Sequence, residues 1–341
     1  MQTAPTRVVL EVSRPPPGDG DGDSAPHQMP FRVLASAVDR VLRSTPSPVR
    51  FVWDGAEPLS AGRWFYEKAV ALEQEFARPG QRLENEVVTS GALLDDPWAD
   101  FLSARRFEVS LRLPGAAGAE PWEDEQAASA GALRAARRLR PRSVAFRVLA
   151  GLEHVAADPA RALRSFERAG VPELSFRPAA LPESGDDPLD PARAAQLLAR
   201  LFDAWLELAP SRLHLPDLRD LVVLAERPQG GGPREGEALT VRVDGKVELG
   251  GGAGCCRLEE LDLAALPRGA STGPKPRSGD RCHWNACCGG AGAGRALLRG
   301  LTRAACGEDC PARALLEHVR ARLGGSGRRP SAHAAPAATG D

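Results

Sequence analysis

Residues 49–77 read "VRFVWDGAEPLSAGRWFYEKAVALEQEFA". Four of the first six, Val49, Phe51, Val52 and Trp53, are β-branched or aromatic, as suits a strand. The run stops at an acidic, glycine-bearing turn fixed by Pro58, and from residue 60 to 77 apolar residues return at helical spacing. The stretch is a strand, a turn and a helix, and the same unit recurs on either side of it. Strand-like runs "RVVLEV" (7–12), "NEVVTS" (85–90), "FEVSLRL" (107–113), "SVAFRVLA" (143–150) and "ELSFRP" (173–178) alternate with helical segments 31–43, 97–105, 124–140, 159–169 and 190–208. Strands and helices alternating at this distance make right-handed βαβ units and a parallel sheet. Six units predict an α/β fold with a partial barrel.

Helix starts carry their own chemistry. In "LLDDPWADFL" (93–102) Asp96 is expected to accept from the first unpaired N–H groups, with Pro97 at the first helical position. Asp190 and Pro191 open the next long helix in the same way, and its Leu197, Leu198, Leu201, Phe202, Trp205 and Leu206 form a core-facing stripe. The arginine-rich run "LRAARRLRPR" (133–142) sits at helical spacing and reads as a solvated face. After the proline- and glycine-rich stretch 228–238, "LTVRVDGKVEL" (239–249) predicts a hairpin through Asp-Gly. The expected organisation is a barrel over 1–227, a linker over 228–238, a small cysteine-bearing domain over 239–324 and a disordered tail over 325–341.

The chain has 341 residues, 43% hydrophobic, with 44 basic and 45 acidic residues and a formal net charge of -1. Such a balance provides no field toward nucleic acid or an anionic membrane, and aromatics at 5% leave little for base stacking. No apolar run approaches the roughly 18 residues of a membrane span. "TRVVLEV" is too short for the apolar part of a signal peptide, so a cytoplasmic location is expected. All seven cysteines fall after residue 254: Cys255, Cys256, Cys282, Cys287, Cys288, Cys306 and Cys310. Clustered thiols in such a protein suggest a metal or cluster before disulfides.

The order of "FVWDGAEPLSAGRWFYEKAVALEQEF", "ENEVVTSGALLDDPWADFL", "FEVSLRLPG", "AFRVLAGLEHVAADPARALRSFERAGVPELSFRP" and "VRVDGKVE" resembles, element by element, the radical SAM enzymes of the anaerobic sulfatase-maturase type, which carry a C-terminal SPASM domain. The resemblance covers most of residues 49–320. Its most specific pieces are Gly55-Ala56-Glu57-Pro58, where the family has Gly-Gly-Glu-Pro, and "TSGALLDD", where the family favours Thr-Asn-Gly-Thr-Leu-Leu. It implies a (β/α)6 TIM-like radical SAM barrel followed by a SPASM-like domain. It also implies that Gly55, Ala56, Glu57 and Pro58 cradle the amino group of S-adenosylmethionine, with Ser90 at the family's asparagine position. The occupant of the barrel would be a peptide or protein.

The departures run against that cofactor. The family carries Cys-x3-Cys-x2-Cys after its first strand, three thiolates for a [4Fe–4S] cluster, whereas "SRPPPGDGDGDSAPHQMP" (13–30) holds no cysteine. His27 and the hard carboxylates of Asp19, Asp21 and Asp23 do not build such a site. "DGDGDS" is no EF-hand either, because its sixth position is Ser24 and its twelfth Pro30. The family's strand-ending Asp-Gly is Pro114-Gly115 here, and "VELGGGAG" has no aspartate where the family's acidic catalytic residue follows a cysteine. No catalytic residue is therefore assigned.

Of the SPASM pattern Cys-x2-Cys-x5-Cys, Cys282 and Cys288 keep the second spacing and Cys310 falls at the later position, but Gly279 stands at the leading one and Gly292 at an inner ligand position. At most one centre fits, iron–sulfur or zinc, completed by Cys287, Cys306 or His283, with Cys255 or Cys256 left upstream. The alternative is that these are leftover thiols. "GASTG" (269–273) lacks the strand-to-helix context of a nucleophile elbow, and "GGAGAG" (289–294) lacks the lysine of a phosphate loop. The expectation is a maturase-like scaffold that no longer initiates radicals and binds a peptide or protein, beside an intact maturase. The rival is an active S-adenosylmethionine-dependent maturase with non-standard cluster ligands.

Overall fold

The computed structural model describes residues 6–14, 27–45, 48–113, 125–176, 190–226, 239–249, 253–260, 284, 298, 301 and 309–326. Six parallel strands form its centre: β1 (Thr6–Ser13), β2 (Val49–Gly55), β3 (Leu83–Thr89), β4 (Phe107–Arg112), β5 (Phe146–Ala150) and β6 (Leu174–Phe176). They lie side by side in chain order, each paired in parallel with the next. The α/β class and the parallel, barrel-like sheet expected from the strand and helix alternation are what the chain adopts.

The connecting helices are α1 (Phe31–Ser44), α2 (Arg63–Phe76), α3 (Asp96–Ala104), α4 (Glu125–Leu139), α5 (Leu152–Ala156), α6 (Pro159–Arg168), α7 (Pro191–Leu208), α8 (Pro216–Glu226) and α9 (Pro311–Ser326). The cap of α3 is Asp95, not Asp96: Asp95 accepts from the Trp98 N–H at 2.8 Å, and Asp96 is already the first residue of the helix. An N-cap side chain reaches the N–H three residues on, which shifts the assignment by one. Asp190 caps α7 as expected, accepting from Arg193 N at 3.0 Å. In the arginine run Arg134 and Arg137 are exposed, and Arg142 pairs with Asp100 at 2.5 Å.

Side chains along the strands alternate between two environments, as the strand period of two dictates. Val8, Leu10, Val12, Val49, Phe51, Trp53, Phe107, Val109, Leu111, Phe146 and Val148 are buried against the helices. Trp53 meets Phe65 and Tyr66 of α2 edge-on, at 6.3 and 5.5 Å between ring centroids. On the opposite, inner face the same strands carry Arg50, Glu84, Glu86, Glu108, Ser110 and Arg147. A (β/α) barrel usually fills this space with branched apolar side chains; here ion pairs occupy it. Arg50 donates to Glu84 at 2.9 Å, Glu108 at 2.9 Å and Glu86 at 3.4 Å. Glu86 also accepts from Ser110 Oγ at 2.7 Å and is bonded by Arg147. Burial raises the affinity of Glu86 for a proton, and Arg147, Arg7, Ser110 and Arg50 together outweigh that, so the carboxylate is held below its usual range.

Residues 239–249 and 253–257 extend this same sheet. The strands β7 (Leu239–Val241), β8 (Lys246–Leu249) and β9 (Ala253–Arg257) follow β1 in the order β6-β5-β4-β3-β2-β1-β7-β8-β9. The expected Asp-Gly hairpin is present: β7 and β8 pair antiparallel, and Gly245 takes a φ of +82° in the turn. β7 docks in parallel on β1, where Glu11 accepts from Arg242 Nη1 at 3.2 Å and from Val243 N at 3.3 Å. No described helix is long and apolar enough to cross a membrane.

Candidate functional site

Ligands of parallel α/β folds sit beyond the C-terminal ends of the strands. At that end of this sheet the turn after β2 meets the ends of β1, β3 and β4. Gly55 has a φ of +135°, and a Cβ there would lie 2.3 Å from the Ser13 carbonyl oxygen, so only glycine fits. Ala56 N donates to that carbonyl at 3.0 Å, and Glu57 N donates to Ser13 Oγ at 3.1 Å. The turn is thereby laced to the end of β1.

Glu57 binds the turn to β3. Its Oε1 accepts from Leu59 N at 3.2 Å and from Thr89 Oγ1 at 2.6 Å, while its Oε2 accepts from Ser90 N at 3.1 Å and Ser90 Oγ at 2.5 Å. Thr89 Oγ1 in turn accepts from Gly91 N at 3.0 Å. Pro58 follows at the start of a single 3-10 turn, where no N–H is needed, and is buried. The five sequence-predicted residues Gly55, Ala56, Glu57, Pro58 and Ser90 are therefore brought together, and they hydrogen-bond chiefly to one another and to the strand ends.

Arg112, the last residue of β4, completes the arrangement from across β3. Its Nη1 donates to the Gly55 carbonyl at 3.0 Å and its Nη2 pairs with Asp54 Oδ1. The same Asp54 oxygen accepts from Gly55 N at 2.8 Å. Sequence reasoning missed Arg112, Asp54, Thr89 and Ser13. The available signal was a charged residue closing an otherwise apolar strand at the ligand end, in "SLRL" and in "VWD".

Lower on the inner face, Arg147 lies 3.8 Å from Glu173, which is 3.5 Å from His214. Asp217 of α8 accepts from Phe176 N at 2.8 Å, and burial pushes its pKa up to about 7. Glu73 of α2 lies in the layer between helix and sheet; burial raises it to about 7 against the pull of its bond from Asn85 Nδ2, at 2.8 Å.

The predicted metal ligands are dispersed or undescribed. Cys310 is buried just before α9. Cys255 and Cys256 lie in β9, with Cys256 opposite Val247. Cys282, Cys287, Cys288 and Cys306 lie outside the described residues, as does the loop 15–26 that follows β1. Among the described residues no group of three or more His, Cys, Asp or Glu is placed to hold a metal.

Fold and mouth together define a parallel α/β partial barrel whose strand ends converge on a glycine-glutamate-proline turn. By sequence and fold the chain is a distant homologue of the anaerobic sulfatase-maturating radical SAM enzymes. It is 31% identical over 153 residues to the serine-type anaerobic sulfatase-maturating enzyme of Klebsiella aerogenes, which is 42% of this chain and 38% of that enzyme. It is 36% identical over 83 residues to the cysteine-type enzyme of Clostridium perfringens, 24% of this chain and 22% of that enzyme. The aligned segments thus span well under half of either relative. In fold, the structure of native anSMEcpe with bound AdoMet matches with a TM-score of 0.68 and 19% identity, over 94% of this chain and 97% of that one. The same protein with bound AdoMet and the Cp18Cys peptide matches with a TM-score of 0.66 and 20% identity, again over 94% and 97%. No family model matches the chain.

Two features of the chain bear on the cofactor chemistry of that family. A [4Fe–4S] cluster is held by thiolates, and the segment 13–30 after β1 supplies none. The turn's carboxylate already accepts four hydrogen bonds, and its Gly55 carbonyl is already bonded.

Proposed function

We propose that this chain is a non-initiating relative of the anaerobic sulfatase maturases, which keeps the mouth of the barrel as a site for a peptide or protein and has given up radical generation. The observation that carries the reading is the cysteine-free segment 13–30, at the point where the family's three thiolates stand. A cofactor enzyme leaves the difficult chemistry to its cofactor and contributes placement and electrostatics; without the thiolates nothing here delivers an electron. Peptide binding is supported by exposed apolar side chains. Trp64 and Leu93, on the segments leaving β2 and β3, are 60% and 47% exposed, and exposed aromatics commonly anchor partners. The chain works in the cytoplasm beside an intact maturase. One C-terminal centre, iron–sulfur or zinc, belongs to this reading only as far as Cys282, Cys288 and Cys310 keep the family's spacing.

The test uses full-length protein, anaerobically reconstituted with iron and sulfide and reduced. Incubated with S-adenosylmethionine, it should release no 5′-deoxyadenosine above a cluster-free control, yet bind a fluorescein-labelled Cp18Cys peptide in an anisotropy titration. Release of 5′-deoxyadenosine overturns the proposal in favour of an active maturase with non-standard ligands. Absence of peptide binding overturns the mouth's assigned role.

A further inference from the structure

The Gly55 carbonyl lies in the turn at the ligand end of the barrel, where Gly55 takes a φ of +135°. A carbonyl in that position beside the Asp54 carboxylate is a place for a cation, and a permanently charged guanidinium from within the chain holds it. Arg112 donates to Gly55 O at 3.0 Å and pairs with Asp54 Oδ1, and its side chain is 13% exposed. The guanidinium fork engages two acceptors at once, which a flexible lysine would not do as well. Asp54 Oδ1 is shared with Gly55 N at 2.8 Å, so the backbone amide, the carboxylate, the guanidinium and the carbonyl form one closed ring.

We propose that Arg112 is a specificity residue that closes the Gly55 turn to ligands bearing a protonated amine. This inference rests on taking the turn as the ligand-facing end of the barrel. A second cation brought to the same carbonyl meets the Arg112 charge, which already engages Gly55 O and Asp54 Oδ1, so recognition there ceases to reward an ammonium group. Ligands that share the nucleoside part of S-adenosylmethionine and lack its amino acid are not penalised. The site therefore does not distinguish S-adenosylmethionine from 5′-methylthioadenosine in the way an amine-binding turn would.

Calorimetric titration of the full-length protein with each compound tests the inference, with no turnover required. The expected result is that the parent protein binds S-adenosylmethionine no more than threefold tighter than 5′-methylthioadenosine, or fails to bind it. Arg112→Ser should gain at least tenfold for S-adenosylmethionine and leave 5′-methylthioadenosine unchanged. Arg112→Lys keeps the charge without the fork, so it should fall between the parent and Arg112→Ser. A parent protein that prefers S-adenosylmethionine by more than threefold overturns the proposal, as does a folded Arg112→Ser that gains less than tenfold. Should Arg112→Ser not fold, the parent's own ratio decides. Production of 5′-deoxyadenosine bears on the proposed function alone, so the two readings fail separately.

Discussion

Truncating Glu57 to alanine tests whether the turn is held by its carboxylate or by its own backbone. Four donors lose their acceptor: Leu59 N, Thr89 Oγ1, Ser90 N and Ser90 Oγ. Leu59 is 2% and Thr89 1% exposed, so neither donor regains water when the carboxylate goes. A buried donor left without its charged acceptor costs about 1.5 kcal/mol or more, and the two from half-buried Ser90 recover most of theirs through hydration. Glu57→Ala should therefore lose about 4 kcal/mol of unfolding free energy. Glu57→Gln keeps one acceptor oxygen and a similar shape, and should lose about half as much. Equilibrium guanidinium unfolding, followed by tryptophan fluorescence and far-UV circular dichroism, gives both values from midpoints and slopes. A double-mutant cycle with Thr89→Val isolates the Glu57–Thr89 bond, expected at about 1 to 2 kcal/mol of coupling. A Glu57→Ala loss below about 1 kcal/mol, or a coupling near zero, would refute the claim that this carboxylate fastens the turn to β3.

Two further outcomes are expected. Glu73 has its folded-state pKa raised to about 7 from 4.5, so the folded state holds a proton that the unfolded state releases first, and stability falls as pH rises from about 4.5 through 7. Glu73→Gln removes that contribution: relative to the parent it should be more stable at pH 8.5 than at pH 5 by about 1 to 3 kcal/mol, read from unfolding midpoints at each pH; Asp217, also near 7, acts equally in both proteins. Arg50→Leu leaves Glu86 with fewer of the charges that hold its pKa down, and should cost about 2 to 4 kcal/mol at pH 7. That cost should shrink as the pH falls into the range where Glu86 takes up a proton, and a pH-independent cost would show that the inner-face ion pairs are not what Arg50 supports.

Particular residues show how far the sequence could be read. The helix stripe of α7 was legible: Leu198, Leu201, Phe202, Trp205 and Leu206 are all buried, and Leu197 packs at the margin. So was the Asp-Gly hairpin, because a left-handed glycine in a tight turn is a local requirement. The helices α5 and α8 escaped notice. α5 is only five residues long, and α8, "PDLRDLVVLAE", carries apolar residues on too many of its positions for a clean stripe. Edges moved by a few residues for local reasons as well: β5 begins at Phe146 because Ser143 takes a φ of 54°, which no strand accommodates. In the candidate site the turn residues were readable as a group, since Gly-Ala-Glu-Pro is contiguous, whereas their partners other than Ser90 were not.

The amino-acid sequence alone determined the succession of strand and helix, the parallel sense of the sheet, the glycine and proline of the β2 turn, and the lack of thiols after β1. Each depends on residues close together in the chain, where dihedral preference and the periods of 2 and 3.6 act directly. Tertiary structure decided the rest. Glu57 finds Thr89 and Ser90 more than thirty residues away, Arg112 crosses β3 to reach Gly55, and Glu11 of β1 receives Arg242 from 231 residues further along the chain. In a parallel sheet neighbouring strands are separated by whole crossovers, so the side chains that meet at its ends are chosen by register and reach, and no local pattern encodes either.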